Sequence, residues 1–156
     1  FAAATNIRTC IYVAGILGLA AVVTRSGLGD AIGHAVLPLL PLDPARPAVS
    51  FTALVVLAVI LNFVITANGV PALFTPLAKT LADSAGLPLA TVVMVQVIGY
   101  GTPLMPYQAS PLVVAMEMGK APTRDGLRLC LVMALVTFVV LVPLDYLWFR
   151  LLGWIG

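Results

Sequence analysis

The sequence predicts an all-α polytopic membrane protein: transmembrane helices together with a re-entrant helical hairpin and a discontinuous helix. Three observations lead there. Of 156 residues, 62% are hydrophobic and only 9% charged, with a mean hydropathy of +1.12, whereas a soluble domain carries about a quarter charged residues. Uncharged runs extend over Thr9–Thr24, Ser50–Ala78, Ser84–Met116 and Leu129–Leu144, and a spanning helix needs about 20 apolar residues. Two of these runs contain their own helix breakers. Asn62, Asn68-Gly69 and Pro71 interrupt one, and Gly99, Gly101, Pro103 and Pro106 the other, all of them residues that remove, expose or compete for backbone hydrogen bonds.

The remaining composition excludes more than it suggests. A net charge of +2, dispersed and without a basic run interleaved with aromatics, leaves no nucleic-acid partner. Cys10 and Cys130 each stand alone in apolar surroundings and the chain has one His, so neither a disulfide framework nor a zinc site is indicated. The opening Phe1-Ala-Ala-Ala, without an initiator Met, reads as part of a longer polytopic protein.

Residues 1–48 read as a transmembrane helix, about Ile7–Thr24, followed by an amphipathic helix along the interface. The first is rich in Gly and Ala, which permits close helix contact. In the second, Leu28, Ile32, Ala35, Val36 and Leu39 share a face beside Asp30 and His34, as in helices that lie in the headgroup plane. Pro41, Pro44 and Pro47 then make a stiff connector. Residues 49–156 read as a second unit, with a re-entrant hairpin at about 50–85, a broken helix at about 88–118 and a final span at about 126–152. The first hairpin limb, Phe51–Thr66, covers about 24 Å at 1.5 Å per residue, short of a hydrocarbon core of about 30 Å. The second, from Val70 or Pro71 to Ser84, is similarly short. After the second break and the loop "GKAPTRDG", the last span ends in an interfacial cluster of Tyr146, Trp148 and Trp154. Lys120, Arg124 and Arg128 crowd the loop before that span, which places the loop in the cytoplasm, the C-terminus outside, and the hairpin mouth outward.

Irregular backbone at membrane depth is tolerated only against protein or a water-filled cavity. Secondary transporters use it as a site, where half-helix N-termini face an anion and unwound carbonyls hold Na⁺. On that reading Asn68, with the backbone of Ala67 and Gly69, offers donors to a small anionic substrate, while Thr66, Thr102 and nearby carbonyls hold Na⁺. Tyr107 and Gln108 lie beside the second break, where ligand contact and helix capping both remain open. Asn62 and Gln96 read as amides that bond neighbouring helices. His34 reads as a solvated or headgroup-facing residue, and Lys79, Asp83 and Glu117 as groups that snorkel or pair.

"TANGVPALFTPLAKTLA", some thirty residues, then "GYGTPLMPYQASPLVVAMEMG" and a closing helix resemble the C-terminal half of the divalent anion:sodium symporter family, within the ion transporter superfamily. The resemblance covers about the last hundred residues. It puts Ala67-Asn68-Gly69 at the family's Ser-Asn-Thr hairpin tip and Gly101-Thr102-Pro103 at its second break. It implies substrate contacts at Asn68, Gly69, Thr102, Pro103, Tyr107 and Gln108, and Na⁺ contacts at Thr66, Ala67, Asn68, Gly101 and Thr102. It also implies a preceding inverted repeat, a homodimer, elevator-type movement of a transport domain that includes residues 49–156 against a scaffold that includes residues 1–48, and a bacterial inner (plasma) membrane location. Only Asn68 of the tripeptide is kept, with Thr66 able to supply one hydroxyl. After Thr102-Pro103, Leu104-Met105-Pro106-Tyr107-Gln108 stand where the family commonly has Pro-Asn. Both departures fall on substrate-contacting ground.

Two other classes compete. "GLGD" at Gly27–Asp30 and "PAL" at Pro71–Leu73 occur in the order seen in intramembrane aspartyl proteases, which need two adjacent carboxylates. The second carboxylate would have to come from a part of the protein outside this sequence, and prolines follow Asp30 where a span should continue. A non-catalytic subunit of a membrane complex explains the hydrophobicity but not two breaks.

Overall fold

The computed structural model describes residues 35–155 other than Thr66 and Asn68, together with scattered positions between Ile11 and Ala31. Most of the first span, Asp30 and His34 of the interfacial helix, and the tip residues Thr66 and Asn68 therefore lie outside the described residues. Helices and no strands occur among the described residues, and the all-α class holds.

A 3₁₀ turn at Leu37–Leu39 leads through the proline connector into α1, Pro47–Ile65. The connector is built on Asp43. Its carboxylate accepts from Ala45 N–H (2.9 Å), its own N–H donates to Ser50 Oγ (2.9 Å), and that hydroxyl donates back to the Asp43 carbonyl (3.0 Å). Pro47, with φ already set for a helix and no N–H to lose, opens α1. The helix therefore begins four residues before Phe51, where the sequence reading started it, and its 19 residues rise about 28 Å. By length and composition α1 is a candidate span, so the brevity expected of this limb is not observed.

α2, Val70–Ala85, closes on Gly86 in the left-handed conformation (φ 65°), the usual device for ending a helix. A side chain at Gly86 would lie 2.7 Å from Pro44 Cβ, which sets the start of α1 and the end of α2 side by side. α3 runs from Leu89 to Gly101 and packs most heavily against α1, then against α2. These three helices supply nearly all of the core: Phe51, Leu54, Val55, Ala58, Val70, Phe74, Leu81, Val92 and Val95 are buried. At the crossing a Cβ on Gly99 would meet Ala58 Cβ at 2.3 Å. Only glycine lets the two backbones come this close.

An irregular stretch with a 3₁₀ turn at Pro106–Gln108 separates α3 from the short α4, Ser110–Met118. The last helix, α5, runs Thr123–Leu151 and contains a π turn at Thr137–Leu141. Pro143 follows it and has no N–H to donate backward, the usual setting for such an irregularity. The end of α5 returns to the start of α1. Tyr146 and Phe149 meet Phe51 edge-on at 5.4 and 6.0 Å, Phe149 stacks on Trp154, and Thr91 Oγ1 donates to Trp154 O (3.4 Å).

Candidate functional site

The turn between α1 and α2 and the break after α3 come together. Ala67 N–H donates to Gln108 C=O (3.0 Å), and Tyr107 Oη donates to Phe63 C=O (2.8 Å) with the two rings edge-to-face at 6.3 Å. The C-terminal ends of α1 and α3 thus meet the N-terminal ends of α2 and α4 in one place. Helix ends carry partial charges of about half a unit, negative at C-termini and positive at N-termini. No acidic residue stands in the first turn of α2 or α4, so those positive ends are not neutralised from within.

Proline accounts for several of the free backbone groups. In an unbroken helix the N–H of residue 71 would answer the Ala67 carbonyl, and that of residue 103 the Gly99 carbonyl, but both positions are Pro. No described donor reaches the carbonyls of Ala67, Tyr100 or Gly101. Gly99 C=O is answered differently: Thr102 N–H approaches at 3.4 Å, and Asn62 Nδ2 donates to it at 2.9 Å.

The sequence-predicted residues take distinct places in this arrangement. Ala67 has its N–H committed to Gln108, so that donor is not free for an anion as expected, while its carbonyl oxygen is open. Gly69 precedes α2, and a Cβ there would lie 2.8 Å from Ile65 O, so the turn is tight enough to require glycine. Gly101 borders open space, with nothing within 4 Å of a Cβ. Thr102 is buried and its hydroxyl donates to Ile98 C=O (2.7 Å), leaving oxygen lone pairs. Pro103 acts through the N–H it lacks. Tyr107, half-exposed, braces the α1 limb. Gln108 is 1% exposed, its Oε1 accepts from Met105 N–H, and its Nε2 has no partner among the described residues. Its side chain thus caps the turn with the oxygen and keeps a free buried donor. Thr66 and Asn68 lie outside the described residues.

Asn62 bonds a neighbouring helix as expected: it is fully buried, and its Nδ2 replaces the donor removed by Pro103. An Asn in an uncharged run was the visible signal, but its partner lies 37 positions away. Gln96 has the structural place expected of it, accepting from Thr75 Oγ1 across α2 and α3 at 3.3 Å.

An open cavity of about 600 Å³ lies beside the break, lined by Pro106, Tyr107, Met116, Glu117, Lys120 and Thr123. It connects the break with the loop between α4 and α5. Among the described residues no cluster of His, Cys, Asp or Glu suited to a metal ion is present. The oxygens gathered here are neutral, and hard monovalent cations are held by such carbonyls in broken-helix transporters.

Comparison with curated proteins and with solved structures found no match. The family described as "Sodium:sulfate symporter transmembrane region" matches residues 3–155, nearly the whole chain, and its members are carriers and not enzymes. The aspartyl-protease alternative falls with that match. The resemblance seen in the last hundred residues thereby extends over the sequence, and the chain belongs to the sodium:sulfate symporter family of integral membrane proteins, which couple anion transport to sodium.

Proposed function

We propose that this chain forms one half of an elevator-type carrier that brings Na⁺ and a small (di)carboxylate or inorganic anion across the membrane together. The observation that carries the reading is the junction of tip and break, where Ala67 and Gln108 bond and four helix ends meet. The uncompensated N-termini of α2 and α4 attract the anion, with Asn68, Gly69, Pro103 and the free Nε2 of Gln108 around it. The cation is held by Thr66, the Ala67 carbonyl, Asn68, the Gly101 carbonyl and the Thr102 oxygen. No intramembrane Lys or Arg occurs between Ser50 and Ala78 or between Ser84 and Met116. Cation and helix ends must therefore meet the substrate charge, which makes the two ligands bind cooperatively.

The shared location of both hairpin ends, with Gly86 against Pro44, supports a re-entrant hairpin even though α1 is longer than expected. The tip bonds to the break, which itself lies against the first turn of α5 where Pro106 faces Gly126, and the adjacent Pro44 and Gly86 put both outer ends of the hairpin together on the opposite side. Residues 49–156 then move as part of the transport domain against a scaffold that includes residues 1–48. A preceding inverted repeat completes the substrate site, the family pattern implies a homodimer in a bacterial inner membrane, and the Lys120, Arg124 and Arg128 cluster puts the C-terminus outside.

Uptake by purified full-length protein in liposomes, over a grid of Na⁺ and substrate concentrations, tests the site. Asn68→Ala removes a charge-assisted hydrogen bond worth about 1.5–3 kcal/mol, and the apparent substrate constant should rise about tenfold or more. Thr102→Val deletes an oxygen at constant volume and should mainly raise the Na⁺ needed for half-maximal uptake. Saturating Na⁺ should partly restore substrate affinity in the Thr102 variant and not in the Asn68 variant. Unchanged constants for both would show that the two breaks are structural and that the site lies elsewhere.

A further inference from the structure

The amide of Asn62 has one half occupied and the other half bare. Asn62 sits on α1 about 7 Å back from the tip at 1.5 Å per residue, and it is fully buried. Its Nδ2 donates to Gly99 C=O at 2.9 Å. A carbonyl can only accept, so this contact fixes which way the amide faces. Oδ1 then has no partner among the described residues.

A bare acceptor inside a membrane protein is costly, because no solvent is at hand to answer it. Its surroundings suit a cation better than a water or an anion. α3 ends beside it with its negative dipole pole, and the carbonyls of Tyr100 and Gly101, the next two after Gly99, accept from no described donor. The second buried atom without a partner, Gln108 Nε2, is a donor and would repel a cation. The junction therefore carries one bare acceptor on the α1 side and one bare donor on the break side, a separation that suits an ion pair of cation and anion.

We propose that Asn62 Oδ1 is a ligand to a coupling Na⁺ held against the C-terminal carbonyls of α3, Tyr100 and Gly101, below the hairpin tip. Asn62 thus serves twice, answering the carbonyl that Pro103 orphans and presenting an oxygen to the ion. The inference rests on the Na⁺-coupled reading above and adds to it a ligand from the shaft of the hairpin.

The test uses purified full-length protein without substrate, following the Na⁺-dependent rise in melting temperature, and with substrate, following the Na⁺ concentration for half-maximal uptake. Asn62→Leu should raise both Na⁺ constants about tenfold. Asn62→Asp, isosteric and able to offer an anionic oxygen, should bind Na⁺ as tightly as the wild type or more so, while melting lower than wild type in Na⁺-free buffer because Gly99 C=O loses its donor. Gln96→Leu, which removes a buried amide bonded to Thr75, should leave the Na⁺ constants unchanged. If Asn62→Leu fails to fold, the Asp variant decides: a raised Na⁺ constant overturns the proposal. Wild-type Na⁺ constants in the Leu variant overturn it as well. A wild-type protein indifferent to Na⁺ would instead remove the Na⁺-coupled reading itself.

Discussion

α1 and α5 are equally apolar, yet half of the most apolar stretch of α1 is buried and only 11% of that of α5. The difference lies in which apolar residues each helix has and where. α1 turns Ser50, Ala53, Ala58 and Asn62 inward along with its large aliphatics, so that α2 and α3 approach closely and polar groups find partners. α5 presents Leu129, Leu131, Val132, Leu135, Val139 and Leu147 outward. In lipid, apolar surface alone gives no reason for helices to associate, and small residues and interhelical hydrogen bonds decide it. α1, α2 and α3 thus form a packed unit that carries the junction of tip and break, and α5 is a belt whose apolar face is left uncovered among the described residues.

The sharpest way to break this contrast is at the α1–α3 crossing. Gly99→Val would put a Cβ 2.3 Å from Ala58 Cβ and 2.6 Å from its carbonyl carbon, backbone that cannot yield without parting the helices. The expected loss is about 3 kcal/mol or more, seen as little folded protein in detergent by size-exclusion chromatography. A valine at Gly101, which has open space around it, should be recovered folded. Equal recovery of both would mean that α1 and α3 do not cross there.

A matched pair of truncations sharpens the same comparison. Leu54→Ala, at a fully buried position of α1, should cost about 2–5 kcal/mol, and Leu135→Ala on α5, where 64% of the residue is exposed, about 0.5 kcal/mol or less. Thermal melts of the purified full-length variants give the ranking. A Leu135 effect as large as that of Leu54 would place a protein surface, and not lipid, against that face of α5.

The all-α class and the positions of the breaks were legible because hydropathy and Gly/Pro chemistry are local. The start of α1 was missed because Pro47 looked like connector, when Pro is equally at home at the first position of a helix. The use of Ala67 N–H by Gln108, 41 positions on, and the answer of Asn62 to Gly99 were not legible. Both are contacts between distant segments, and nothing in the local pattern of either partner names the other. The π turn in α5 was likewise invisible beforehand: Pro143 announces an irregularity without saying which side absorbs it.

The smallest expected effect is at the brace between break and hairpin. Tyr107→Phe removes only the hydroxyl that donates to Phe63 C=O at 2.8 Å and keeps the ring that meets Phe63 edge-on. Interhelical bonds of this kind contribute about 0.6–1 kcal/mol, so the global melting temperature should move by little. The consequence should be local, because Tyr107 Oη and the Ala67–Gln108 bond are the two hydrogen bonds that join tip and break among the described residues. With one gone, amide hydrogen exchange should quicken about three- to fivefold across residues 63–70 and 105–109, as an opening made easier by that energy requires, and stay unchanged in the α1–α3 crossing around Gly99. Tyr107→Ala should quicken it further, since an edge-to-face pair adds about 0.5–1.5 kcal/mol. Exchange at the tip that ignores both substitutions would mean that the turn is held by α2 alone, and that the break can move without carrying the hairpin with it.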